Sequence, residues 1–268
     1  MVPTNKLALL NQAVLAACDG LDGVKDGLLT DPHKCHFDPS TLLCKGSDGP
    51  NCLTAAQIET VKTAYAPATT RAGQTIYPGW PFGGELGWTR LAAPEPLEIS
   101  LSTFTYVAHQ DAHWDWRTFD LDRDTSLLDE KAGFLNAVNP DLAAFKARGG
   151  KLLQYHGWND QLISAENSLN YYSSVLSKMG SKEDDWYRLF MVPGMMHCGQ
   201  GPGPNQFNAM GAVERWRESG VAPDQITAYH VENNRVTMTR PLCPYPQVAT
   251  YKGTGSTNDA ANFACKVK

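Results

Sequence analysis

The sequence has 268 residues, of which 42% are hydrophobic and 19% are charged, and its formal net charge is −5. This composition is typical of a globular protein of one or two domains and excludes a disordered chain. An acidic balance without a run of Lys or Arg argues against nucleic acid as a partner, and no apolar stretch approaches the ~20 residues that cross a membrane.

Two helices and a long irregular segment are predicted in the first hundred residues. The spacing of apolar residues predicts a helix over 4–17 and a second over 54–66. A capping box of Thr54 and Gln57 opens the second helix. Residues 67–100 are rich in Pro, Gly and Trp without a sustained period, which suits a lid or a binding surface over a core.

A glycine-punctuated acidic loop, residues 18–28, follows the first helix and is a candidate calcium site. Its three aspartates lie within eight residues and repel one another unless a cation or water relieves them. Calcium takes roughly six to eight oxygen ligands, from carboxylates and backbone carbonyls. Alternate residues of an extended segment share one side, which predicts side-chain ligands at Asp22 and Asp26 and carbonyl ligands at Val24 and Leu28. The alternative is a solvated acidic turn.

Histidine and aspartate alternate over residues 109–116. In a strand, four polar side chains of this segment would share one face and could hold zinc or iron; they are His109, Asp111, His113 and Asp115. The spacing matches no established metal motif. The favoured interpretation is a polar face over packed Trp114 and Trp116, and residues 120–124 are interpreted as a solvated turn.

A change of pattern near residue 150 predicts a domain boundary. A predicted helix over 140–148 ends at two glycines, and strands and helices alternate after them. We therefore predict one domain over 1–149 and another over 150–268. The predicted elements of the second domain are a strand at 151–156, a helix from Ser164 to Gly180, a strand at 186–192, a helix near 208–219, a hairpin of 226–231 with 235–239, and an irregular tail over 240–268.

Asp160 and His197 each follow the end of a predicted strand, and both are catalytic candidates. An α/β hydrolase delivers the last two members of its Ser–Asp–His triad in this order, each on a loop past a strand. The carboxylate fixes the histidine tautomer, and the histidine takes a proton from the serine. No Gly-x-Ser-x-Gly sequence occurs in the chain.

The chain has seven cysteines, and their placement predicts disulfides. Four of them fall within the first 52 residues, in loop-like sequence, and none has the close pair spacing of a zinc cluster. The odd count leaves one cysteine free or paired outside this chain, and Cys198 lies directly beside the candidate histidine. Such a density indicates an oxidising compartment. It favours a secreted protein whose signal peptide is not in this chain.

Four segments together resemble the tannase and feruloyl esterase family. They are Ala17-Cys-Asp-Gly-Leu-Asp-Gly-Val-Lys-Asp-Gly27, Trp114-Asp-Trp-Arg-Thr-Phe-Asp120, His156-Gly-Trp-Asn-Asp160 and Val192-Pro-Gly-Met-Met-His-Cys198. The tail, with Arg240-Pro-Leu-Cys-Pro-Tyr-Pro246 and Asn262-Phe-Ala-Cys265, resembles the end of the family. The resemblance covers nearly the whole chain.

The resemblance implies the C-terminal part of an α/β-hydrolase core, preceded by a lid domain over 1–149 that holds a structural calcium ion. The implied calcium ligands are Asp19, Asp22, Val24, Asp26 and Leu28. The implied disulfides are Cys18–Cys35, Cys44–Cys52 and Cys243–Cys265, and the implied catalytic pair is Asp160 and His197. The family's nucleophilic serine follows a cysteine that is bonded to the cysteine after the catalytic histidine, and Cys198 fits that second role.

The implied function is hydrolysis of a small aromatic carboxylic ester, galloyl or hydroxycinnamoyl, through an acyl-enzyme. The family's Cys-Ser region would precede this whole chain, so the serine is expected on an N-terminal segment or second chain, disulfide-linked through Cys198. Four lid aromatics are candidates to shape the acyl pocket: Trp80, Trp88, Tyr106 and Trp114. The alternatives are a non-catalytic calcium-stabilised binding module, an inactive truncated fragment, and a metal enzyme that uses residues 109–115.

Overall fold

Helices alternate with small sheets in an α/β arrangement. The computed structural model describes residues 1–90, 93–180 and 184–267. The α-helices there are α1 (Leu7–Cys18), α2 (Ala55–Tyr65), α3 (Glu98–Ser102), α4 (Leu121–Ala132), α5 (Ala143–Ala147), α6 (Glu166–Met179) and α7 (Ala209–Ser219). The strands are β1 (Ala68–Thr69), β2 (Thr75–Tyr77), β3 (Leu152–Gly157), β4 (Tyr187–Val192), β5 (Ile226–Glu232), β6 (Arg235–Leu242), β7 (Gln247–Tyr251) and β8 (Phe263–Val267). Shorter 3₁₀ turns occupy Thr4–Lys6, Asp19–Asp22, Pro32–Lys34, Pro39–Leu42, Glu85–Thr89, Trp116–Thr118, Gly133–Leu135 and Ala260–Asn262, and a π-helical turn occupies Thr103–His109.

The parallel pair β3 and β4 is the sheet whose following loops carry Asp160 and His197. The two strands run in register from Leu152 opposite Tyr187 to Gly157 opposite Val192, and α6 connects them. Among the described residues, β3 hydrogen-bonds in a sheet only with β4. Helix α6 packs its apolar face against the start of β4, where Tyr187 is fully buried. Each buried side chain of this size contributes roughly 1.5–3 kcal/mol through removal of apolar surface from water.

The predicted ends of several elements agree with the structure. Helix α2 opens with the predicted capping box, in which the Gln57 backbone N–H donates to Thr54 Oγ1 and the Thr54 backbone N–H donates to Gln57 Oε1. Asn233 and Asn234 both have positive φ in the turn between β5 and β6, as a tight hairpin requires. Ser164 does not cap α6, because its hydroxyl donates to the Gly79 carbonyl instead.

The predicted irregular tail is wrong, because its residues form the antiparallel pair β7 and β8. Neither strand alternates apolar and polar residues, in sequence or in burial, so a period of two does not mark them. Phe263 of β8 is buried in a cluster with Val24 and Ala249. The tail is therefore part of the packed structure.

The predicted solvated turn at 120–124 is also wrong. Asp120 is the N-cap of α4, where its side chain accepts from the Arg123 backbone N–H. Asp124 is fully buried, and its carboxylate accepts from the Asp120 backbone N–H and the Arg123 guanidinium. Carboxylates are favoured in the first turn of a helix by the unpaired N–H groups there. The N-cap and first turn of α4 therefore have the polar composition that is typical of a loop.

Residues on the two sides of the predicted boundary at 149/150 contact one another. Arg240 Nη2 donates to Asp26 Oδ2 at 2.5 Å, and the Asn159 amide donates to the Gly83 carbonyl at 2.6 Å. The boundary stays a prediction. Within the described part of the chain, no helix combines the length and the apolar character that a membrane span requires.

Candidate active site

Asp160 and His197 come together because β3 and β4 are parallel. Carboxyl ends of parallel strands meet at one edge of a sheet, and the loops after them therefore share that edge. Asp160 lies three residues after β3, and His197 lies five residues after β4. The structure places both predicted catalytic residues in direct contact.

The contact between the two side chains is a hydrogen bond from imidazole to carboxylate. His197 Nδ1 lies 2.9 Å from Asp160 Oδ2 and 3.2 Å from Oδ1. The Asp160 side chain is 6% exposed and the His197 side chain is 37% exposed. A carboxylate only accepts, so Nδ1 carries the hydrogen and the neutral ring leaves Nε2 with a lone pair. Among the described residues, Nε2 of His197 has no hydrogen-bond partner.

Four donors hold the Asp160 carboxylate. The backbone N–H groups of Leu162 and Ile163 donate to Oδ1 at 2.9 Å each, and His156 Nε2 lies 3.1 Å from Oδ2. Burial raises the pKa of Asp160, but the hydrogen bonds from His156, the two backbone N–H groups and His197 outweigh it and lower the pKa to about 2. Asp160 is therefore ionised at neutral pH.

Two glycines permit the loops to approach each other. A Cβ on Gly157 would lie 2.1 Å from the Met195 carbonyl oxygen, so only glycine fits at the end of β3. Gly194 has φ +73°, and a Cβ there would lie 2.7 Å from the Gly203 nitrogen. The His197 backbone N–H donates to Gln161 Oε1 at 3.1 Å, which ties the two loops together.

A buried glutamate supports the loop that carries Asp160 through a series of hydrogen bonds. Glu85 is fully buried and accepts from the Asn11 amide at 2.7 Å, from the Gly83 backbone N–H at 2.8 Å and from the Tyr65 hydroxyl at 2.9 Å. The Gly83 carbonyl accepts from Asn159, the residue before Asp160. No sequence pattern indicates this support, because residues that hydrogen-bond directly in it lie up to 76 positions apart.

The acidic loop at 18–28 is a turn rather than the expected extended segment. Residues Asp19–Asp22 form one 3₁₀ turn, and Gly23 follows it with positive φ. The Asp19 carboxylate accepts from the backbone N–H groups of Asp26 and Gly27, and Arg240 pairs with Asp26. Burial raises the pKa of Asp26, Arg240 lowers it, and Asp22 and Asp19 raise it further.

The donor chemistry of this loop is oxygen only, which is what calcium prefers. The charge of Asp22 and Asp19 acts on Asp26, so a cation would relieve repulsion there. Over residues 1–90, 93–180 and 184–267, however, no three Asp, Glu, His or Cys side chains converge as a metal-binding group. Any calcium at this loop would therefore need further oxygen ligands, such as backbone carbonyls or water.

The cysteines pair as the family resemblance implied. Disulfides join Cys18 to Cys35, Cys44 to Cys52, and Cys243 to Cys265. Cys198 is a free, exposed thiol with positive φ, directly after His197. All three disulfides lie within the chain.

The segment 109–115 is not a strand and does not gather its polar residues. His109 stacks on Trp114 with ring centroids 4.5 Å apart, and its Nε2 lies 3.3 Å from Asp124. Asp111 and Asp115 accept from backbone N–H groups two residues further on. The favoured interpretation of a polar face over packed Trp114 and Trp116 agrees in part: Trp114 packs against His109 and Phe104, but the packing of Trp116 stays a prediction.

Of the four candidate lid aromatics, two pack in or against the core and two do not. Trp88 is 5% exposed and packs in the core with Trp80 beside it, whereas Tyr106 is 63% exposed. Trp114 lines an open apolar cavity of 390 Å³. The other residues lining that cavity are Pro96, Ser100, Leu101, Phe104, Trp116, Arg117 and Phe119.

Comparison with known proteins gives one consistent result. The family model described as "Tannase and feruloyl esterase" matches residues 1–266. An uncharacterized esterase of Xanthomonas campestris is 34% identical over 97% of this chain and 54% of its own length. A probable feruloyl esterase B-2 of Aspergillus terreus is 34% identical over 95% of this chain and 52% of its own length.

A solved structure agrees with the sequence relatives. The crystal structure of feruloyl esterase B from Aspergillus oryzae superimposes with a TM-score of 0.91 at 30% identity, over 99% of this chain and 57% of that chain. The present chain therefore spans about half the length of the proteins that it matches.

Proposed function

Since the chain belongs to the tannase and feruloyl esterase family, we propose that it forms part of a serine hydrolase that cleaves aromatic carboxylic esters. The proposed substrates are small galloyl or hydroxycinnamoyl esters. The observation that carries the proposal is the hydrogen bond from His197 Nδ1 to the buried, ionised Asp160. The open aromatic cavity beside Trp114 is a surface of suitable chemistry for a phenolic ring.

In the proposed reaction His197 is the general base. Asp160 holds the Nδ1–H, so Nε2 is the nitrogen that takes a proton from a serine hydroxyl. The serine oxygen bonds to the ester carbonyl carbon, and the alcohol leaves with the proton that His197 returns. Water then adds to the acyl carbon as His197 takes its proton. The aromatic acid leaves and the serine oxygen regains a proton.

The serine is proposed to lie outside these 268 residues, on an N-terminal segment or a second chain. Neither a Gly-x-Ser-x-Gly nor a Cys-Ser sequence occurs within them. Cys198 supports a covalent connection, because its thiol is free and exposed and it directly follows His197. A disulfide formed there would hold the partner sequence close to the imidazole.

The remaining parts of the proposal concern the lid and the location of the protein. We propose a lid domain over 1–149 with a structural calcium ion, and residues 150–268 as the C-terminal part of an α/β-hydrolase core. The calcium ion would stabilise the loop and takes no part in the chemistry. Its proposed ligands are Asp19, Asp22, Val24, Asp26 and Leu28. Three disulfides support a secreted protein.

The test uses three measurements on the native protein and its variants. A fluorophosphonate probe marks an activated serine, and intact mass before and after reduction shows whether the marked segment is joined to this chain. Hydrolysis of methyl gallate and methyl ferulate is then compared among the wild type, Asp160→Asn and His197→Ala. We expect losses of roughly 10³-fold or more in kcat, in line with triad removal elsewhere.

The half-buried His230, which pairs with Glu232 and the Gly203 carbonyl, supplies the control variant His230→Gln, which should keep its activity. Folded Asp160 and His197 variants with full activity would remove the catalytic proposal. A native protein that binds gallate but hydrolyses neither ester would support the alternative of a binding module.

A further inference from the structure

A second histidine touches the candidate catalytic carboxylate. His156, near the end of β3, places Nε2 3.1 Å from Asp160 Oδ2 and 3.2 Å from the Ile163 carbonyl oxygen. Both neighbours can only accept a hydrogen bond, so Nε2 must carry the hydrogen. The His156 side chain is 13% exposed. Its sequence position, four residues before Asp160, gave no indication of this contact.

The other nitrogen of His156 ends a hydrogen-bond chain that starts in the core. The Tyr187 hydroxyl donates to Gln154 Oε1, and Gln154 Nε2 donates to Ser168 Oγ at 2.9 Å. Ser168 Oγ lies 2.7 Å from His156 Nδ1. Since the serine oxygen already accepts from Gln154, its hydrogen is available to Nδ1. Each group then donates one hydrogen bond to the next, so donation runs in one direction along the chain from Tyr187 to Asp160.

The arrangement separates the roles of the two histidines. Both ring nitrogens of His156 are engaged by the protein, so this ring has no nitrogen left for a substrate. His197 keeps Nε2 available among the described residues. His156 therefore acts through Asp160 and not on the ester.

We propose that His156, as the neutral Nε2–H tautomer, is a positioning residue that fixes the orientation of the Asp160 carboxylate for His197. The N–H groups of Leu162 and Ile163 hold Oδ1, and His156 holds Oδ2. A carboxylate held at both oxygens cannot rotate away from the imidazole. The catalytic part of this inference rests on the proposed function, whereas the tautomer and the contact do not.

The first test is an NMR measurement on the 268-residue chain, which requires no activity. Long-range ¹H–¹⁵N correlations report which nitrogen of His156 carries the hydrogen, and carboxyl ¹³C shifts report the titration of Asp160. We expect the Nε2–H tautomer in the wild type. In His156→Leu, which removes the donor, the Asp160 pKa should rise from about 2 toward the ordinary carboxyl range. In His156→Gln, whose amide donates from the same position, the low pKa should largely return.

The second test uses the native esterase with methyl ferulate. His156→Leu should lower kcat by about tenfold or more with little change in KM, since a hydrogen bond to a charged group is lost without loss of a substrate contact. His156→Gln should recover most of kcat, and Ser168→Ala should show a smaller loss. His230→Gln is the matched histidine control.

Each outcome decides a separate point. An Nδ1–H tautomer in the wild type, or an Asp160 titration that His156→Leu leaves unchanged, would overturn the inference even if the esterase activity is present. The wild-type tautomer can be read whether or not the leucine variant folds. A confirmed contact in a protein that hydrolyses no ester would instead contradict the proposed function alone.

Discussion

Arg240 and Asp26 form an ion pair from which water is largely excluded. Their side chains are 5% and 9% exposed, and the guanidinium also lies over the Phe263 ring at 3.8 Å. Burial lowers the pKa of Arg240, while Asp26 and Asp22 raise it. Desolvation thus opposes both charged forms, and the pair depends on both partners being present.

Removal of one partner should therefore cost more than removal of both. In calcium-free buffer, Arg240→Met leaves Asp26 buried without a cation, and we expect a loss of about 3–5 kcal/mol in the free energy of unfolding. The double variant Arg240→Met with Asp26→Asn should recover part of that loss. Urea denaturation of the four proteins of this cycle measures the coupling. If the losses in the free energy of unfolding of the two single variants simply add in the double variant, the coupling between Arg240 and Asp26 is contradicted.

Asp160 should make the protein sensitive to acid. Its pKa in the folded state, about 2, lies below the ordinary value of 3.8. A lowered carboxyl pKa contributes stability that is fully present above the ordinary value and is lost as the pH falls through 2. Urea denaturation between pH 5 and pH 2 should therefore show a steeper decline for the wild type than for Asp160→Asn. Parallel declines would contradict the low pKa.

At the scale of elements, the β7–β8 hairpin depends on a disulfide and on an apolar contact. Cys243 and Cys265 close a loop with a sequence separation of 22, and Phe263 packs against Val24. Replacing both cysteines with alanine should cost about 3–4 kcal/mol, because the unfolded chain regains the freedom that the closed loop removes. Guanidinium denaturation measures this loss. Replacement of Cys44 and Cys52, which close a separation of only 8, should cost less.

The acidic loop should respond to calcium if the proposed site is occupied. Calcium at about 100 times its dissociation constant should add roughly 2.7 kcal/mol to the free energy of unfolding, which raises Tm by several degrees in a chain of this size. Chelation with EGTA should reverse the rise, and Asp22→Asn should abolish it. Asp111→Asn, in the other acidic segment, is the control. An unchanged Tm in the wild type would remove the calcium proposal.

Across the whole molecule, His33 connects the Cys18–Cys35 region to the start of α6. Its Nδ1 lies 3.3 Å from Asp31 Oδ1, and its Nε2 lies 2.7 Å from Glu166 Oε1. Hydrogen bonds to Asp31 and Glu166 raise the pKa of His33 to about 10, against the opposing effect of burial. The imidazolium thus bridges two segments that are 133 residues apart.

The stability that the His33 bridge contributes to the folded protein should fall as the pH rises. A histidine with a raised pKa contributes stability that is fully present below its ordinary value of 6.5 and is lost as the pH rises through about 10. Thermal unfolding between pH 6 and pH 10 should therefore show a smaller decline in His33→Gln than in the wild type. The exposed His36 supplies the control His36→Gln. Equal declines in all three proteins would contradict the bridge.

The parts of the molecule that could be predicted depend on local pattern. The contact between Asp160 and His197 could be predicted because each follows an apolar run that ends near glycine, and parallel strands bring the two loops together. His156 could not be assigned a role, because its contact with Asp160 depends on a side-chain rotamer. The burial of Asp124 was missed because a cap and a solvated turn use the same residues. Strands β7 and β8 were missed because neither alternates apolar and polar residues.

Within the part of the chain that the structure describes, Cys198 is the one cysteine outside a disulfide, and its thiol is exposed next to His197. It therefore offers a site for attaching a single maleimide fluorophore without any engineered mutation. A dye at this position would report changes in the surroundings of the imidazole, including binding of the ester substrate that we propose. The labelling yield also has quantitative meaning, because a molecule whose Cys198 is bonded to another chain cannot react. The unlabelled fraction of a native sample thus measures how much of the protein is joined to a partner.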